Sequence, residues 1–385
     1  MPAVSHASLT QDLFAARTVR LPASTCLIGI LNGEGIGPEV IGVCMNVLQD
    51  VARIFGRHFE IRVGGPIGKE SLRLSGSVLT GEVIDFCREI SEEGGAILAG
   101  PGGGSFVYDM RRQFDLFFKL NPVIQFPELA DAMRVKLPDK QARDIVVVRD
   151  NVGGLYQGQS EVSPCGQNVV HRFGYSEQCV SRLLTVAAQI ASRRRRRMTV
   201  VCKEGGLPEL TRLWFNTAEK IAAAHRIELC RMDIDFAAYQ FIARPEDFDV
   251  VAIPNCFGDI LADLGGVLMG SRGITYGASY SPAGFGIYQT NHGAAYDLAG
   301  KDTANPTGQL LSLAMMLEES AGLHEEAALI VAAVRESWKE GWRTADLMAP
   351  GCRLVGTKEM GEVVSRNMTL LAPLRHPLEA TAAAR

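Results

Sequence analysis

Short apolar runs alternate with helix-length segments along most of this chain, and that alternation limits the fold more than any other feature. Candidate strands are Cys26–Leu31, Ala96–Ala99, Ile145–Val148, Thr199–Cys202 and Val250–Ile253. A helix opens at Gly37-Pro38-Glu39, with proline at a first-turn position and Val40, Ile41, Val47, Leu48 and Val51 at helical spacing. Such alternation implies an α/β protein with a largely parallel sheet. From Thr307 onward the pattern is mainly helical. Leu310, Leu311, Ala314, Met315 and Leu317 are expected to line one stripe, with the methionine pair as core filler. The 385 residues suffice for two domains. With no internal repeat and no long linker, the second should be inserted within the first.

Hydrophobic residues make up 47% and charged residues 21%, as in ordinary globular proteins. The net charge of -4 argues against a nucleic-acid partner. The basic cluster Arg193 to Arg197 reads as a helix end before the strand Met198–Cys202, where cations are favourable. Nine scattered cysteines without a CxxC pair argue for a reducing compartment. No apolar stretch is long enough to span a membrane. The first 24 residues read as a loose leader and the end after Pro377 as a frayed tail. The expected location is cytoplasmic.

Three acidic residues stand out: Asp235, Asp259 and Asp263. Gly258 and the apolar run after it read as a helix start, and residues four apart on a helix share a face. Two adjacent carboxylates repel unless a cation or proton lies between them. Oxygen-only ligands suit Mg²⁺ or Mn²⁺. Two glycine-rich loops follow strands. Gly33-Glu34-Gly35-Ile36-Gly37 has the wrong spacing for a dinucleotide fingerprint. Gly100-Pro101-Gly102-Gly103-Gly104 reverses the chain at a strand's carboxyl end, where α/β proteins place ligands.

Together these segments resemble the β-decarboxylating dehydrogenases, which act on isocitrate, 3-isopropylmalate, homoisocitrate or tartrate. The resemblance spans roughly residues 25 to 365. The first glycine loop resembles the family's GDGIGPE, with Glu34 replacing aspartate. Arg149 to Tyr156 resembles its RE(N/L)-x-x-G-x-Y segment. Asn255 to Asp263 resembles its N-x-F-G-D-I-L-S-D helix, the most specific match. Asn291 to Lys301, with Ala304-Asn305-Pro306, resembles its HGSAPDIAGK-x-x-ANP cofactor loop.

The resemblance implies an isopropylmalate dehydrogenase-like two-domain α/β fold with a mixed, largely parallel central sheet, not a Rossmann domain. A large cofactor-binding domain would comprise 1–116 and 270–385, and a small domain, 117–269, would carry the dimer interface. It further implies a homodimer with a shared active site. The reaction would be metal-dependent oxidative decarboxylation of a malate-type 2-hydroxy acid, with NAD as hydride acceptor. Asp235, Asp259 and Asp263 match the metal ligands. Lys203 matches the base, its pKa lowered by its surroundings, and Tyr156 the acid. Arg111 and Arg149 match carboxylate-gripping arginines. Ile36, Gln289, His292, Gly293, Ala294, Ala295, Asp297 and Asn305 match cofactor positions. Asp297 would accept the adenosine ribose hydroxyls and repel a 2′-phosphate.

Three positions depart from that pattern. Asn121 replaces an arginine, which removes one of three carboxylate-binding cations. Gly205 replaces an asparagine, and Gln289 replaces a glutamate. All three lie on the substrate and nicotinamide side. Phe106 and Tyr108 are expected to wall the pocket for the substrate's third substituent. The departures imply a substrate that is non-standard for the family. Two other readings are a non-redox metal-dependent decarboxylase or lyase and a regulatory subunit. The complete metal triad, Lys203 and Tyr156 argue against the latter.

Overall fold

The computed structural model describes residues 8–10, 13–14, 25–102, 105–135 and 143–375. Most of the supposed leader, the tail after Pro377, and Gly103 and Gly104 lie outside the described residues. The chain begins β1 (Thr25–Leu31), α1 (Gly37–Phe55), β2 (His58–Val63), α2 (Gly68–Ser75), α3 (Gly81–Glu92), β3 (Ala96–Ala99), α4 (Phe106–Gln113), β4 (Phe118–Ile124) and β5 (Asp144–Asp150). A hairpin of β6 (Gln159–Val162) and β7 (Val169–Arg172) follows, then α5 (Glu177–Ser192), β8 (Arg197–Cys202), α6 (Pro208–His225), β9 (Glu228–Asp233) and α7 (Ile234–Ala243). The remainder is β10 (Val250–Ile253), α8 (Asn255–Met269), β11 (Tyr276–Tyr280), β12 (Gly286–Thr290), α9 (Thr307–Glu319), α10 (His324–Lys339) and α11 (Thr357–Arg375). All five candidate strands are present.

Ten strands form one sheet in the order β2-β1-β3-β12-β11-β4-β5-β10-β8-β9. The pairs on both flanks are parallel. The three central pairs, β12–β11, β11–β4 and β4–β5, are antiparallel. The mixed, largely parallel sheet is therefore as expected. The direction changes all fall at its centre, a place where open α/β sheets leave a crevice for ligands.

Proline at the start of α1 presets the first helical turn, and Val40, Ile41, Val47, Leu48 and Val51 are all buried. Two helices differ from expectation. α8 begins at Asn255 rather than Gly258, because the Gly258 amide already donates to Pro254 O at 2.8 Å. Gly258 serves close approach instead: a Cβ there would lie 2.7 Å from Cγ of Arg149. α9 carries no single stripe. Every residue from Thr307 to Met316 is buried, since the helix packs among β11, β12, α1 and α10. Met315 and Met316 are core filler, as expected.

The basic cluster caps the α5–β8 junction. Arg194 donates to Asp249 at 2.8 Å and to Asp144 at 3.2 Å, so its charge is used structurally. Among the described residues no helix is long and apolar enough to cross a membrane.

Candidate functional site: a cationic cavity at the centre of the sheet

A polar cavity of about 180 Å³ opens where the strand direction changes. α4 supplies Tyr108 and Arg111, β4 supplies Lys119 and Asn121, and β5 supplies Arg149. Asp259 and Asp263 enter from α8, and Gln289, His292 and Gly293 from β12 and the loop after it. Substrate, metal and cofactor candidates from five separate segments are thus brought together.

The two acids lie one helical turn apart, as their spacing requires. Each is paired to a cation: Asp259 with Arg149, and Asp263 with Arg272 at 2.8 Å. Burial, with Asp259 adding to it, raises the pKa of Asp263 above the usual aspartate value, against the pull of Arg272. Arg149 is largely committed, since its Nη2 also donates to Asn255 Oδ1 at 2.8 Å. Arg111 is not. It is buried, and its Nε and Nη1 have no hydrogen-bond partner.

Tyr156 packs edge-on against Tyr108, with centroids 5.6 Å apart, and lies under the Arg149 guanidinium. Burial, a hydrogen bond with Cys256 and the Asp259 charge all push its pKa up, so the phenol keeps its proton. Phe106 belongs to the core cluster under α4 and does not line the polar cavity, whereas Tyr108 does. Its burial in that cluster, which also holds Ile97 and Met110, accounts for Phe106.

Asp235 and Lys203 stand apart from the cavity. Lys203, just beyond β8, donates to Asp235 at 2.8 Å and to Asp233 at 3.1 Å. These hydrogen bonds raise its pKa, Asp235 contributing most, which corrects the expectation of a lowered value. Within one chain, among the described residues, no three His, Cys, Asp or Glu side chains are placed to hold a metal ion. The acidic triad is therefore split: two carboxylates in the cavity and the third with Lys203.

On the cofactor side, the glycine loop packs on the 291–305 segment. Ile36 donates to Ala294 O at 2.9 Å, and a Cβ on Gly35 would lie 2.0 Å from that same oxygen. Gly35 has φ +59°, so both conformation and space require glycine. Buried Glu34 accepts from Tyr296 at 3.0 Å and from the Glu70 amide at 2.5 Å, tying the loops together. Ala295 packs against Ile36, Val40 and Ala304. Burial lowers the pKa of His292 below the ordinary histidine value. Asp297 is exposed. Asn305 is occupied with the start of α9, accepting from Thr307 at 2.9 Å, and with Asp346 at 3.0 Å. Gln289 donates to Gly100 O at 2.8 Å, joining β12 to the second glycine loop.

Sequence reasoning missed Lys119. It is buried, pairs with Arg149 across the β4–β5 ladder, and lines the same cavity as Asn121. The cation absent at 121 is matched by one two residues earlier, so the cavity still holds three cations, contrary to the expected loss. Strand alternation was the available signal, because residues two apart share a face.

The isocitrate/isopropylmalate dehydrogenase family matches residues 27–364. The 3-isopropylmalate dehydrogenase of Geobacillus kaustophilus is 36% identical over 354 residues, covering 88% of this chain and 94% of that protein. The chloroplastic 3-isopropylmalate dehydrogenase 1 of Arabidopsis thaliana is 34% identical over 364 residues, covering 90% and 88%. The crystal structure of isocitrate dehydrogenase from Methylococcus capsulatus superposes with a TM-score of 0.80 at 27% identity, covering 89% of this chain and 99% of that one. Central sheet, site segments and matches over most of the chain converge: the chain belongs to the isocitrate/isopropylmalate dehydrogenase family.

Proposed function

We propose that this protein is an NAD-dependent, metal-dependent dehydrogenase that oxidatively decarboxylates a malate-type 2-hydroxy acid. The observation that carries the reading is one cavity in which a buried arginine has unpartnered donors beside two carboxylates one helical turn apart. The unpartnered donors call for an anion, and the carboxylates for a cation.

The residues fit both the metal and the dinucleotide. Asp259 and Asp263 offer an all-oxygen donor set suited to Mg²⁺ or Mn²⁺. Asp235 would complete it from a second subunit. The exposed Asp297, with His292 and Gly293 at the cavity rim, suits NAD. When bound, NAD accepts the hydride and the cation polarises the C2 oxygen. The chain's own residues do the rest. Arg111 and Arg149 hold carboxylate and orient C2. Tyr156, kept protonated, donates to C3 after CO₂ leaves. Lys203 takes the C2 hydroxyl proton. It can do so only after losing a contact with Asp235 or Asp233, which otherwise hold it as the ammonium.

A homodimer with a shared site accords with the surface. Phe236 and Tyr239 on α7 and Ile260 and Val267 on α8 are exposed, and these helices pack together beside Asp235 and Asp259. Val162, Val169 and Val170 on the β6–β7 hairpin are exposed as well. The proposed domains, 1–116 with 270–385 and 117–269, would meet at the β11–β4 pair. Nine free cysteines fit a cytoplasmic location.

The test is NADH formation over a panel of 2-hydroxy acids, with and without a chelator, alongside the Asp259→Asn variant. Metal-dependent NADH in wild type and none in the folded variant is the expected result. Full activity in excess chelator would overturn the metal assignment. CO₂ release without NADH would select the non-redox decarboxylase, which the engagement of Gln289 with Gly100 and the missing side chain at Gly205 favour.

A further inference from the structure

We propose that Lys119 is a specificity-determining residue that, with Arg111, binds the substrate's second carboxylate, so that the site selects a short 2-hydroxy diacid. This deepens the dehydrogenase reading and rests on it.

Two buried cations in the cavity lack a carboxylate partner among the described residues: Arg111 on α4 and Lys119 on β4. Arg149 already faces Asp259. A buried cation without a counter-ion is unfavourable, and an anionic ligand removes that cost. Lys119 runs across the face of β11. Its Cε and the Nδ2 of Asn121 lie 3.2 Å and 2.8 Å from the position a Cβ on Gly277 would take. The glycine thus gives the lysine stem its path, and the two side chains are neighbours. Asn121 donates to Asn291 at 2.6 Å, while its own buried Oδ1 has no partner. A carboxylate between Arg111 and Lys119 would therefore sit beside a neutral acceptor suited to a hydroxyl. That pattern fits a compact diacid with hydrogen or hydroxyl at C3 better than one with a bulky alkyl group or a third carboxylate. A second void, of only about 20 Å³, is lined by the same two cations together with Phe106, Val107 and Met110.

The experiment measures binding of malate, with two carboxylates, and lactate, with one, by calorimetry in MgCl₂. It uses wild type, Lys119→Met and Lys119→Arg. Lys119→Met should weaken malate about tenfold or more, Lys119→Arg should recover part of the loss, and lactate should change less than about twofold. In turnover, Lys119→Met should raise KM for the diacid much more than it lowers kcat. Thermal unfolding guards against misfolding: without ligand, Lys119→Met should melt no lower than wild type, since it removes an uncompensated buried charge. Malate binding within about twofold of wild type in Lys119→Met overturns the role of Lys119 while leaving the dehydrogenase intact. Lys119-dependent binding with no NADH from any hydroxy acid overturns the dehydrogenase reading and leaves the anion site standing. No binding of any hydroxy diacid overturns both.

Discussion

The Lys203 ammonium lies 2.8 Å from the Asp235 carboxylate, and neither side chain lines the cavity that holds Asp259 and Asp263. The proposed base and the proposed third metal ligand are thus paired with each other away from the cavity they would have to serve. The simplest resolution is that both serve a second subunit's cavity. Lys203→Ala and Asp263→Asn should each be inactive alone. Re-associated as equal mixtures, half the dimers are hybrids with one intact site of two, so roughly a quarter of wild-type activity should return. Confirmed subunit exchange without recovery would rule out the shared site.

NAD should be preferred over NADP. Asp297 is exposed on the loop after His292, and in the proposed cofactor pose it would meet the adenosine end of the dinucleotide. A 2′-phosphate there would face a like charge, which costs on the order of a few kcal/mol, enough for at least about tenfold in kcat/KM. Asp297→Asn should narrow that ratio, and equal use of both cofactors by wild type would refute the assignment.

The parts that sequence made legible are those set by local periodicity. The five strands and α1 follow from apolar spacing, and Asp259 and Asp263 share a face because α8 is a helix. Tertiary relations were hidden. α9 read as a helix with one apolar stripe, yet its neighbours bury nearly all of it. Lys203 read as a residue with a lowered pKa because nothing local announces Asp233 and Asp235, which stand at the end of β9 and the start of α7, some thirty residues on. Asn121 read as a lost charge because a motif compared position by position ignores that Lys119 projects from the same face of β4.

Substrate binding should weaken as pH rises through neutrality. Burial, then Arg111 and Arg149, push the Lys119 pKa down to about 7, against the pull of Asp259 and Asp263. Below that pH the folded protein carries the charged form that an anion favours. Above it the charge is lost in the folded state while an unfolded chain still holds the proton, so the stability penalty of the buried cation fades toward the ordinary lysine range. KM for the diacid should therefore climb above about pH 7, by up to tenfold per pH unit, and stay flat in Lys119→Met. Thermal melts of ligand-free wild type should rise relative to that variant over the same interval. Parallel pH profiles for the two proteins would show that Lys119 does not titrate in this range.

Exchanging the two positions should exchange substrates. Isocitrate and 3-isopropylmalate are expected to be poor substrates for wild type, because the cation stands at 119 and a neutral amide at 121. Asn121→Arg alone restores the family's arginine but sets it against Lys119, whose stem shares the space over Gly277 with the Asn121 amide. Two buried cations that close repel. The double variant Lys119→Asn/Asn121→Arg removes the repulsion and frees that space. It should exceed both wild type and Asn121→Arg by about tenfold or more in kcat/KM on one of these compounds, while losing efficiency on the short diacid. The comparison needs only steady-state rates for three proteins on three acids. If wild type oxidises isocitrate or 3-isopropylmalate with kcat/KM near 10⁵ M⁻¹s⁻¹, roughly an ordinary enzyme value, the relocated charge does not select the substrate.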